Sequence, residues 1–383
     1  MMPQVVLLLV VIAALGILGA EAILHRRVLR RLRLRIHVNG TRGKSTVTRL
    51  IAAGLRAGGL RVVAKTTGTA ARIILEDGSD LPIVRPGRPT ITEQRRFLAW
   101  AARRGVDAVV VECMAVGPEY QRASEDYLLR SHVGVITNVR LDHSEVLGPD
   151  PRTAARAFAA AVPRDGTVIV AEPSFRHLIE EGARRRGCRV VTVAPEPIDG
   201  ELVPDGELFP ENVALAVEAC RLTGVDPAIA RQGMRDARPD PGAVSVRQVD
   251  VRGVAVTWVN AFAANDPESA RLILRRVLSP SQRPLVVIYN HRDDRPLRTR
   301  AFAPLLAEMA PVRVLVVGDH PRRVARVLVR SGIRATASPT RVAAEVFRTA
   351  AAEVGDRGIV LGLGNIAGIG MELARWEQGG ADD

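Results

Sequence analysis

The sequence contains few aromatic residues, few cysteines and almost no lysine. Aromatic residues make up 3% of the 383 residues, too few for the stacking surfaces that bind single-stranded nucleic acids. The cysteines Cys113, Cys188 and Cys220 are widely spaced without a CxxC pair, so neither a disulfide framework nor a zinc site is indicated, and a reducing cytosol fits. The net charge of +13 suits a membrane surface or a polyanionic product, and no nucleic-acid recognition motif accompanies it.

Lysine occurs only at Lys44 and Lys65, against 52 arginines. Lys44 lies in a glycine loop, residues 39–46, which follows the apolar run 36–38 and opens an amphipathic segment. Backbone N–H groups of such a loop can surround a phosphate, with the lysine on its outer oxygens and the serine hydroxyl on Mg²⁺. A compact ammonium suits a phosphate better than a planar guanidinium does, so a lysine at this place in an arginine-rich chain supports that role.

The match to a phosphate loop is partial, because the full spacing would place a glycine at Val38. An ordinary glycine turn before a helix is the alternative. We predict a nucleotide site that includes these loop residues: Asn39, Gly40, Thr41, Arg42, Gly43, Lys44, Ser45 and Thr46.

Residues 5–24 form an apolar run whose only charge is Glu21. As a helix this run would extend about 30 Å, the thickness of a bilayer core. Six arginines and His25 follow within residues 25–35, and no basic residue precedes the run. The positive-inside tendency then predicts a single-pass anchor of the cell membrane with the rest of the chain in the cytoplasm. A cleaved signal peptide, suggested by Ala20-Glu21-Ala22, and a buried core helix are the alternatives.

From residue 36 onward, β-rich runs alternate with helical stretches, which predicts an α/β fold with a mainly parallel sheet. The predicted strands are 61–64, 107–111, 133–139, 167–170 and 189–193, and the helices between them are 93–103, 151–161 and 175–186. A linker at 195–209 precedes a helix at 211–220, and a second linker spans 237–242.

A hairpin at 244–259, turning at 252–253, begins a second α/β region. Its predicted strands are 285–289, 312–317 and 358–363, and its helices are 267–278, 299–309 and 321–330. Length and a 47% hydrophobic content allow several domains. We predict an anchor with a basic segment at 1–35, a nucleotide-binding α/β domain at 36–238 and a second, Rossmann-like α/β domain at 239–383.

Polar clusters follow the predicted strands of the first region, where ligands of parallel sheets bind. Residues 65–69 follow one strand, Glu112 follows another, and the string 137–143 follows a third. Carboxylate and imidazole groups at Glu112, Asp142 and His143 are ligands that a nucleotide-bound Mg²⁺ could meet. Singly, each could instead be a helix-terminal or surface residue.

Together these strings resemble the Mur-type ATP-dependent amide ligases and, within them, the PgsB or CapB ligase subunits of poly-γ-glutamate synthases. The resemblance covers nearly the whole chain and rests on the anchor and on residues 40–46, 65–69, 111–116, 137–143, 209–212, 260–267, 289–296 and 362–368. It implies a Mur-ligase-like central domain, and a reaction in which ATP phosphorylates a carboxylate and an amine attacks the acyl phosphate to form a γ-linked amide between glutamates.

The resemblance also implies roles for individual residues. Lys44, Glu112 and His143 would be catalytic, with Ser45, Glu112 and His143 binding metal. Asn212 would approach the adenine, and Arg292 and Asp294 would contact ATP from the carboxy-terminal domain, with Asp293 on the same face. The candidates for substrate contact are Thr67, Arg85, Arg88, Arg140, Asn265, Asp266 and Arg295.

Two departures from the family pattern restrict these expectations. Many Mur ligases use a carbamylated lysine after the metal-binding histidine, but no lysine follows Lys65, so a second metal would be held otherwise or be absent. The precursor-binding domain of the cell-wall enzymes is replaced by the anchor. The family works with small membrane subunits, which we expect here, and a homo-oligomer is possible. The rival interpretations are a ligase adding glutamate to a small acceptor such as folate, a membrane-tethered NTPase switch and a nucleic-acid-binding ATPase.

Overall fold

The computed structural model describes residues 2–68, 71–85, 87, 89–140, 144–148, 150–171, 174–194, 209–240, 243–264, 266–277, 284–294 and 296–376. The chain divides into two compact units, residues 1–202 with 210–238, and residues 203–209 with 239–383. Each unit is built on a sheet of its own. Most of the predicted linker 195–209 lies outside the described residues.

The first unit contains an eight-stranded sheet in the order β4-β3-β2-β5-β1-β6-β7-β8. Its strands are β1 (Leu34–Asn39), β2 (Val62–Lys65), β3 (Arg72–Ile74), β4 (Asp80–Pro82), β5 (Ala108–Glu112), β6 (Val133–Ile136), β7 (Thr167–Val170) and β8 (Arg189–Thr192). All neighbouring pairs are parallel except β2 with β3 and β3 with β4. A mainly parallel sheet is thus confirmed.

The helices of the first unit are α1 (Met2–Arg31), α2 (Lys44–Ala57), α3 (Glu93–Arg104), α4 (Pro118–Ala123), α5 (Ser144–Leu147), α6 (Pro151–Ala160), α7 (Arg176–Arg184), α8 (Pro210–Leu222) and α9 (Pro227–Arg235), with a π-helical turn at Ser124–Leu129. Side-chain caps stabilise the amino-terminal ends of two of these helices. Asp150 and Asp226 accept hydrogen bonds from the first backbone N–H groups of α6 and α9, each of which begins with proline.

The second unit contains a six-stranded sheet in the order β13-β12-β11-β14-β10-β9, parallel except for β9. Its elements are β9 (Ser245–Val251), β10 (Val254–Asn260), α10 (Pro267–Val277), β11 (Leu285–His291), α11 (Pro296–Met309), β12 (Arg313–Gly318), α12 (Pro321–Arg330), β13 (Ala335–Ala337), α13 (Ala343–Val354), β14 (Ile359–Gly364) and α14 (Ile369–Trp376). The hairpin turns at Arg252 and Gly253 as the sequence predicts, and both have positive φ.

One prediction about the first sheet was wrong, and one of its features was missed. The strand predicted at 133–139 ends at Ile136, because the backbone from Thr137 onward turns to meet the glycine loop. The short hairpin of β3 and β4 was not predicted, although Asp77-Gly78 at its tip is a typical turn signal.

Helix α1 is the one described helix that is long and apolar enough to cross a membrane by length and composition. Its apolar part is exposed, whereas Leu29 and Leu32, at its carboxyl end and just beyond it, are buried in the core of the first unit with Phe97, Leu98 and Val109. The apolar helix therefore continues directly into the folded unit.

Candidate functional site

The glycine loop lies between β1 and α2, at the carboxyl edge of the first sheet. Gly40 and Gly43 have φ of 118° and 78°, which favour glycine. A Cβ on Gly40 would lie 2.3 Å from Thr137 Oγ1, and one on Gly43 would lie 2.7 Å from Asn212 Oδ1. Both glycines are therefore required by backbone conformation and by close approach, and the loop presents its backbone at the start of a helix, as anion sites do.

Lys44 is the first residue of α2, and its ammonium turns back over the loop. Its Nζ donates hydrogen bonds to Gly40 O at 2.8 Å and to Thr41 O at 3.0 Å. Both acceptors are neutral carbonyls, so within the part of the chain that the structure describes the ammonium has no carboxylate partner. An anionic phosphate would be a stronger acceptor for this ammonium.

Ser45, Thr67 and Glu112 converge because β1, β2 and β5 are neighbours in the sheet. Glu112 Oε2 accepts hydrogen bonds from Ser45 Oγ and from Thr67 N, both at 2.8 Å. The carboxylate is 4% exposed, and Gln94 donates to its backbone oxygen at 3.0 Å. A hydroxyl and a carboxylate side by side are the oxygen ligands that Mg²⁺ takes alongside water and phosphate, so these residues fit a nucleotide-bound divalent cation.

The backbone after β6 supports the glycine loop. Asn138 accepts from Arg42 N through its Oδ1 and donates to Arg42 O through its Nδ2, both at 3.1 Å. Thr41 Oγ1 donates to Arg140 O at 3.2 Å and accepts from Arg140 N at 3.0 Å. Asn138 was missed as a site residue, although it lies in the polar string that follows a predicted strand.

Asn212, near the start of α8, lies directly against the glycine loop, as its approach to Gly43 shows. It is almost fully buried. Asn39 is also held within this region, since its Nδ2 donates to Gln121 Oε1 at 3.0 Å and its Oδ1 accepts from Gly40 N at 2.8 Å. The remaining loop residue, Thr46, lies in the first turn of α2.

Lys65, the other lysine, is 1% exposed at the end of β2. Its Nζ lies 2.8 Å from Glu93 Oε1, and Arg85 contacts the same carboxylate through two hydrogen bonds of 2.7 and 3.0 Å. Burial lowers the pKa of Lys65, and the Glu93 carboxylate opposes that change. Burial alone would raise the pKa of Glu93, but Arg85 and Lys65 outweigh it and lower the value to about 2. Sequence reasoning did not place Lys65 in the site, although the scarcity of lysine was a signal.

A buried ion pair lies behind the glycine loop. His37 on β1 contacts Glu125 Oε2 through Nδ1 at 2.8 Å, and Ser131 donates to the same carboxylate. Burial opposes protonation of His37, but Cys113 and Glu125 together raise its pKa to about 10. A buried, hydrogen-bonded histidine–glutamate pair therefore supports the strand that leads into the loop, and neither partner carried a sequence signal beyond its residue type.

In the second unit the predicted residues at the end of β11 are exposed and paired among themselves. Arg292 Nη2 donates to Asp294 Oδ2 at 2.8 Å, and Asp293 lies 2.9 Å from His320 Nε2. Asp266 instead accepts hydrogen bonds from Ser269 N and Ser269 Oγ, at 2.8 and 2.7 Å, and so caps α10. This structural role was not predicted.

Four predicted site residues, Arg88, His143, Asn265 and Arg295, lie outside the described residues, as does Asp142. Within the described ranges, no group of three or more His, Cys, Asp and Glu residues could hold a metal ion. Among the described residues, the candidate ligands of a cation are therefore Ser45 and Glu112. Oxygens of the nucleotide and of water would complete the coordination.

Two family descriptions match the chain. Residues 38–198 match the Mur ligase middle domain, and residues 246–379 match the poly-gamma-glutamate synthase CapB C-terminal domain. The glycine loop, Glu112 and Thr67 all lie within the first match.

Curated relatives match over most of their length. The chain is 36% identical to PGA synthase CapB of Bacillus subtilis (strain 168) over 317 residues, 81% of this chain and 80% of the relative. It is 34% identical to the capsule biosynthesis protein CapB of Bacillus anthracis over 363 residues, 91% of this chain and 77% of the relative.

Solved structures share the fold at low sequence identity. E. coli FolC in complex with ADP gives a TM-score of 0.71 at 20% identity, covering 94% of this chain and 93% of that chain. A bifunctional folylpolyglutamate synthase/dihydrofolate synthase from Yersinia pestis, solved with AMPPNP and a Mn ion, gives a TM-score of 0.69 at 18% identity, covering 93% and 92%. These likenesses establish the α/β fold of the chain.

Proposed function

The chain belongs to the CapB family of poly-γ-glutamate synthases, and we propose that it is an ATP-dependent amide ligase that joins glutamate units through γ-amide bonds. The observation that carries this proposal is the meeting of Lys44, Ser45, Thr67 and Glu112 at one sheet edge, beside a glycine loop. Such a site can hold a nucleotide triphosphate and its cation.

The chemistry explains why a ligase needs this site. A carboxylate is a poor electrophile until one of its oxygens becomes a leaving group. Transfer of the γ-phosphoryl group from ATP to the γ-carboxylate of a glutamate breaks the bond to ADP and forms an acyl phosphate. The amine of the next glutamate then attacks the acyl carbon, the amide bond forms, phosphate leaves, and the amine gives up a proton. Both steps develop negative charge that preorganised cations and N–H donors stabilise.

The residues of the first unit divide this work. Lys44 exchanges its two loop carbonyls for phosphate oxygens, and the loop N–H groups hold the phosphates. Ser45 and Glu112 would hold Mg²⁺, and Thr67 N fixes the Glu112 carboxylate for that role. The cation, when bound, would neutralise charge on the phosphates.

The other predicted residues complete the proposal. His143 binds a second cation or the acyl phosphate, and Asn212 approaches the nucleotide from the loop side. Arg292 and Asp294 contact ATP, with Asp293 nearby. The candidates for binding the substrate are Thr67, Arg85, Arg88, Arg140, Asn265, Asp266 and Arg295. Arg85 would have to divide its hydrogen bonds between the substrate and Glu93, which already accepts two of them.

We further propose that α1 anchors the chain in the cell membrane with both units in the cytoplasm and with small membrane subunits as partners. The 18-residue apolar window of α1 has a mean hydropathy of 2.7, and arginines follow it on one side only. Burial of Leu29 and Leu32 in the first unit supports an anchor that stays attached.

The decisive experiment is phosphate release by the full chain in membrane nanodiscs with ATP and Mg²⁺, with L-glutamate, D-glutamate, aspartate or no amino acid. We expect stimulation by one glutamate enantiomer together with γ-linked product. The matched control is the Lys44→Ala protein prepared in the same way.

Stimulation that needs an added small acceptor such as a folate, without polymer, would contradict the polymerase and favour a single-addition ligase. Turnover that stays indifferent to every amino acid, even with the membrane subunits present, would contradict any ligase and favour an NTPase switch.

A further inference from the structure

A basic cleft lies at the carboxyl end of α1, where this helix meets the rest of the first unit. Its volume is about 610 Å³, within the range of about 300–1,000 Å³ typical of small-molecule sites. The polar residues that line it are Arg26, Arg30, Arg33, Arg35, Arg130 and His132, and the described lining includes no carboxylate. The nucleotide site uses none of these residues.

The floor of the cleft is built into the core. Leu29 and Leu32 line the cleft and are 5% and 1% exposed. Arg35 Nη1 donates to Leu29 O and to Leu32 O, both at 2.8 Å, and Arg35 Nε donates to Leu129 O at 3.0 Å. The end of α1 is thereby fastened to the π-helical turn, so the cleft is a fixed feature and not a flexible basic tail.

The position of the cleft along α1 matches the depth of lipid headgroups. Leu24 ends the apolar run, and Arg26 and Arg30 follow it by two and six residues, roughly 3 and 9 Å along a helix. The polar layer of a bilayer extends about 5–8 Å on each side of its hydrocarbon core. Arg26 and Arg30 are four residues apart, so they lie on one face of the helix.

Two N–H donors face each other inside the cleft. Arg35 N donates to His132 Nδ1 at 3.1 Å, so the neutral imidazole must carry its proton on Nε2. Nε2 lies 3.2 Å from Arg35 Nη2, which is also a donor. Burial and the Arg35 charge both lower the pKa of His132, which keeps the ring in this neutral form. Arg35 Nη2 also donates to Arg130 O at 2.9 Å. An anionic oxygen beside the two nitrogens can accept a hydrogen bond from each of them and so relieve their opposition.

We infer that this cleft binds the phosphate headgroup of an anionic membrane lipid. The arginines supply charge and bidentate donors for the phosphate, Arg35 and His132 supply the opposed donors, and the leucine floor meets the glycerol. The inference rests on the membrane anchoring proposed above. Binding would fix the height and the orientation of the first unit at the bilayer surface.

The test measures binding of dioctanoyl phosphatidylglycerol to the full chain in micelles of an uncharged detergent, by isothermal titration calorimetry. Dioctanoyl phosphatidylcholine is the zwitterionic reference. The variant Arg26→Gln with Arg30→Gln removes two cleft arginines, and Arg27→Gln with Arg31→Gln removes two arginines of the same helix that do not line the cleft. All four arginines are exposed, so both double variants should fold.

We expect phosphatidylglycerol to bind and phosphatidylcholine to bind much more weakly. The cleft variant should lose about 25-fold in affinity, at roughly fivefold for each arginine that contacts the headgroup. The matched variant should lose far less, because Arg27 and Arg31 do not line the cleft. Equal losses of lipid affinity in the two variants would contradict a specific site and would indicate binding to a diffuse basic surface. Displacement of the lipid by poly-γ-glutamate at lower concentration would reassign the cleft to the anionic polymer and overturn the lipid assignment.

Glutamate-stimulated phosphate release is measured on the same preparations. Lipid binding without such turnover, even with the membrane subunits added, would preserve the cleft and contradict the ligase. Turnover without lipid binding would preserve the ligase and contradict the cleft.

Discussion

The two units share a parallel α/β sheet but differ at its carboxyl edge. In the first unit, Gly40 and Gly43 keep the loop backbone open before α2, and among the described residues the acceptors of Lys44 Nζ are two neutral carbonyls. In the second unit, Gly364 also has positive φ, but Asn290 Nδ2 donates to Ala367 O at 2.9 Å and Asn365 Nδ2 donates to Asn290 O. At that edge the side-chain amides of Asn290 and Asn365 are hydrogen-bonded to backbone oxygens of the same unit.

The comparison teaches that the sheet supplies only the place for a site. A compact ammonium, a hydroxyl and a buried carboxylate make the first edge suitable for phosphate and cation. The second edge carries exposed pairs such as Arg292 with Asp294, which are weak in water and can be exchanged for a ligand. The first edge is therefore expected to dominate ATP turnover, with the second contributing less.

The largest expected effect comes from Lys44→Ala, which should lower ATP turnover by about 10²–10³-fold, the range for removing one preorganised donor. The loop backbone is set by its glycines, so the fold should persist. The measurement is phosphate release with circular dichroism as the folding check. Arg292→Ala serves as the second-unit comparison, and a larger loss there than at Lys44 would reverse the assignment of the two edges.

Glu112→Gln should follow, with a loss of about 10–100-fold and a higher Mg²⁺ requirement, because the amide keeps the shape but not the charge. A Mg²⁺ titration of phosphate release measures this. The matched control is Glu119→Gln on α4, an exposed glutamate nearby. An unchanged Mg²⁺ dependence in the Glu112 variant would contradict the proposal that Glu112 binds the metal ion.

Glu93→Gln tests the ion cluster around Lys65, which has no counterpart in the second unit among the described residues. The pKa of Glu93 is lowered to about 2 from 4.5, so the stabilisation it gives is present above about pH 4.5 and is lost as pH falls through about 2. We expect the variant to be less stable at pH 7 by about 1–2 kcal/mol, with the difference shrinking toward pH 2. Urea unfolding at several pH values measures it, and a pH-independent difference would contradict the cause.

Asp266→Ala has the smallest expected effect, a loss of about 1 kcal/mol in unfolding free energy from the cap of α10. Asp226→Ala, which removes the cap of α9 in the first unit, is the matched control for stability. Asp266→Asn keeps a capping side chain without the charge. If that variant retained both stability and turnover, Asp266 would be a cap alone and would lose its proposed substrate role.

Much of the fold followed from local sequence patterns. Hydrophobic periodicity located most strands of both sheets to within one or two residues, because buried parallel strands are short apolar runs. The predicted strand end was wrong at Thr137. The apolar residue Val139 extends the hydrophobic pattern, but the backbone is no longer in the strand there. Hydrophobic periodicity also failed for β3 and β4, which are too short to show a pattern.

The candidate site was only partly visible in the sequence. Ser45, Thr67 and Glu112 were predictable because strand ends of a parallel sheet meet at one edge. Lys65 and Asn138 also lie in polar strings at strand ends, but their partners were not predictable, and neither was the partner of Glu125. Those partners lie 28, 96 and 88 residues away in the chain, and local sequence patterns do not indicate such pairings.

The sequence by itself determined the element types, the glycine loop with its lysine, and the apolar helix followed by arginines, since each depends on neighbours within a few residues. Only the tertiary structure decided which groups contact Glu112, that Lys65 pairs with Glu93, that Asp266 caps a helix, and that arginines at the carboxyl end of α1 line a cleft. The physical reason is that propensity and periodicity act along the chain, whereas hydrogen bonds and ion pairs between distant residues depend on the packing that brings them together.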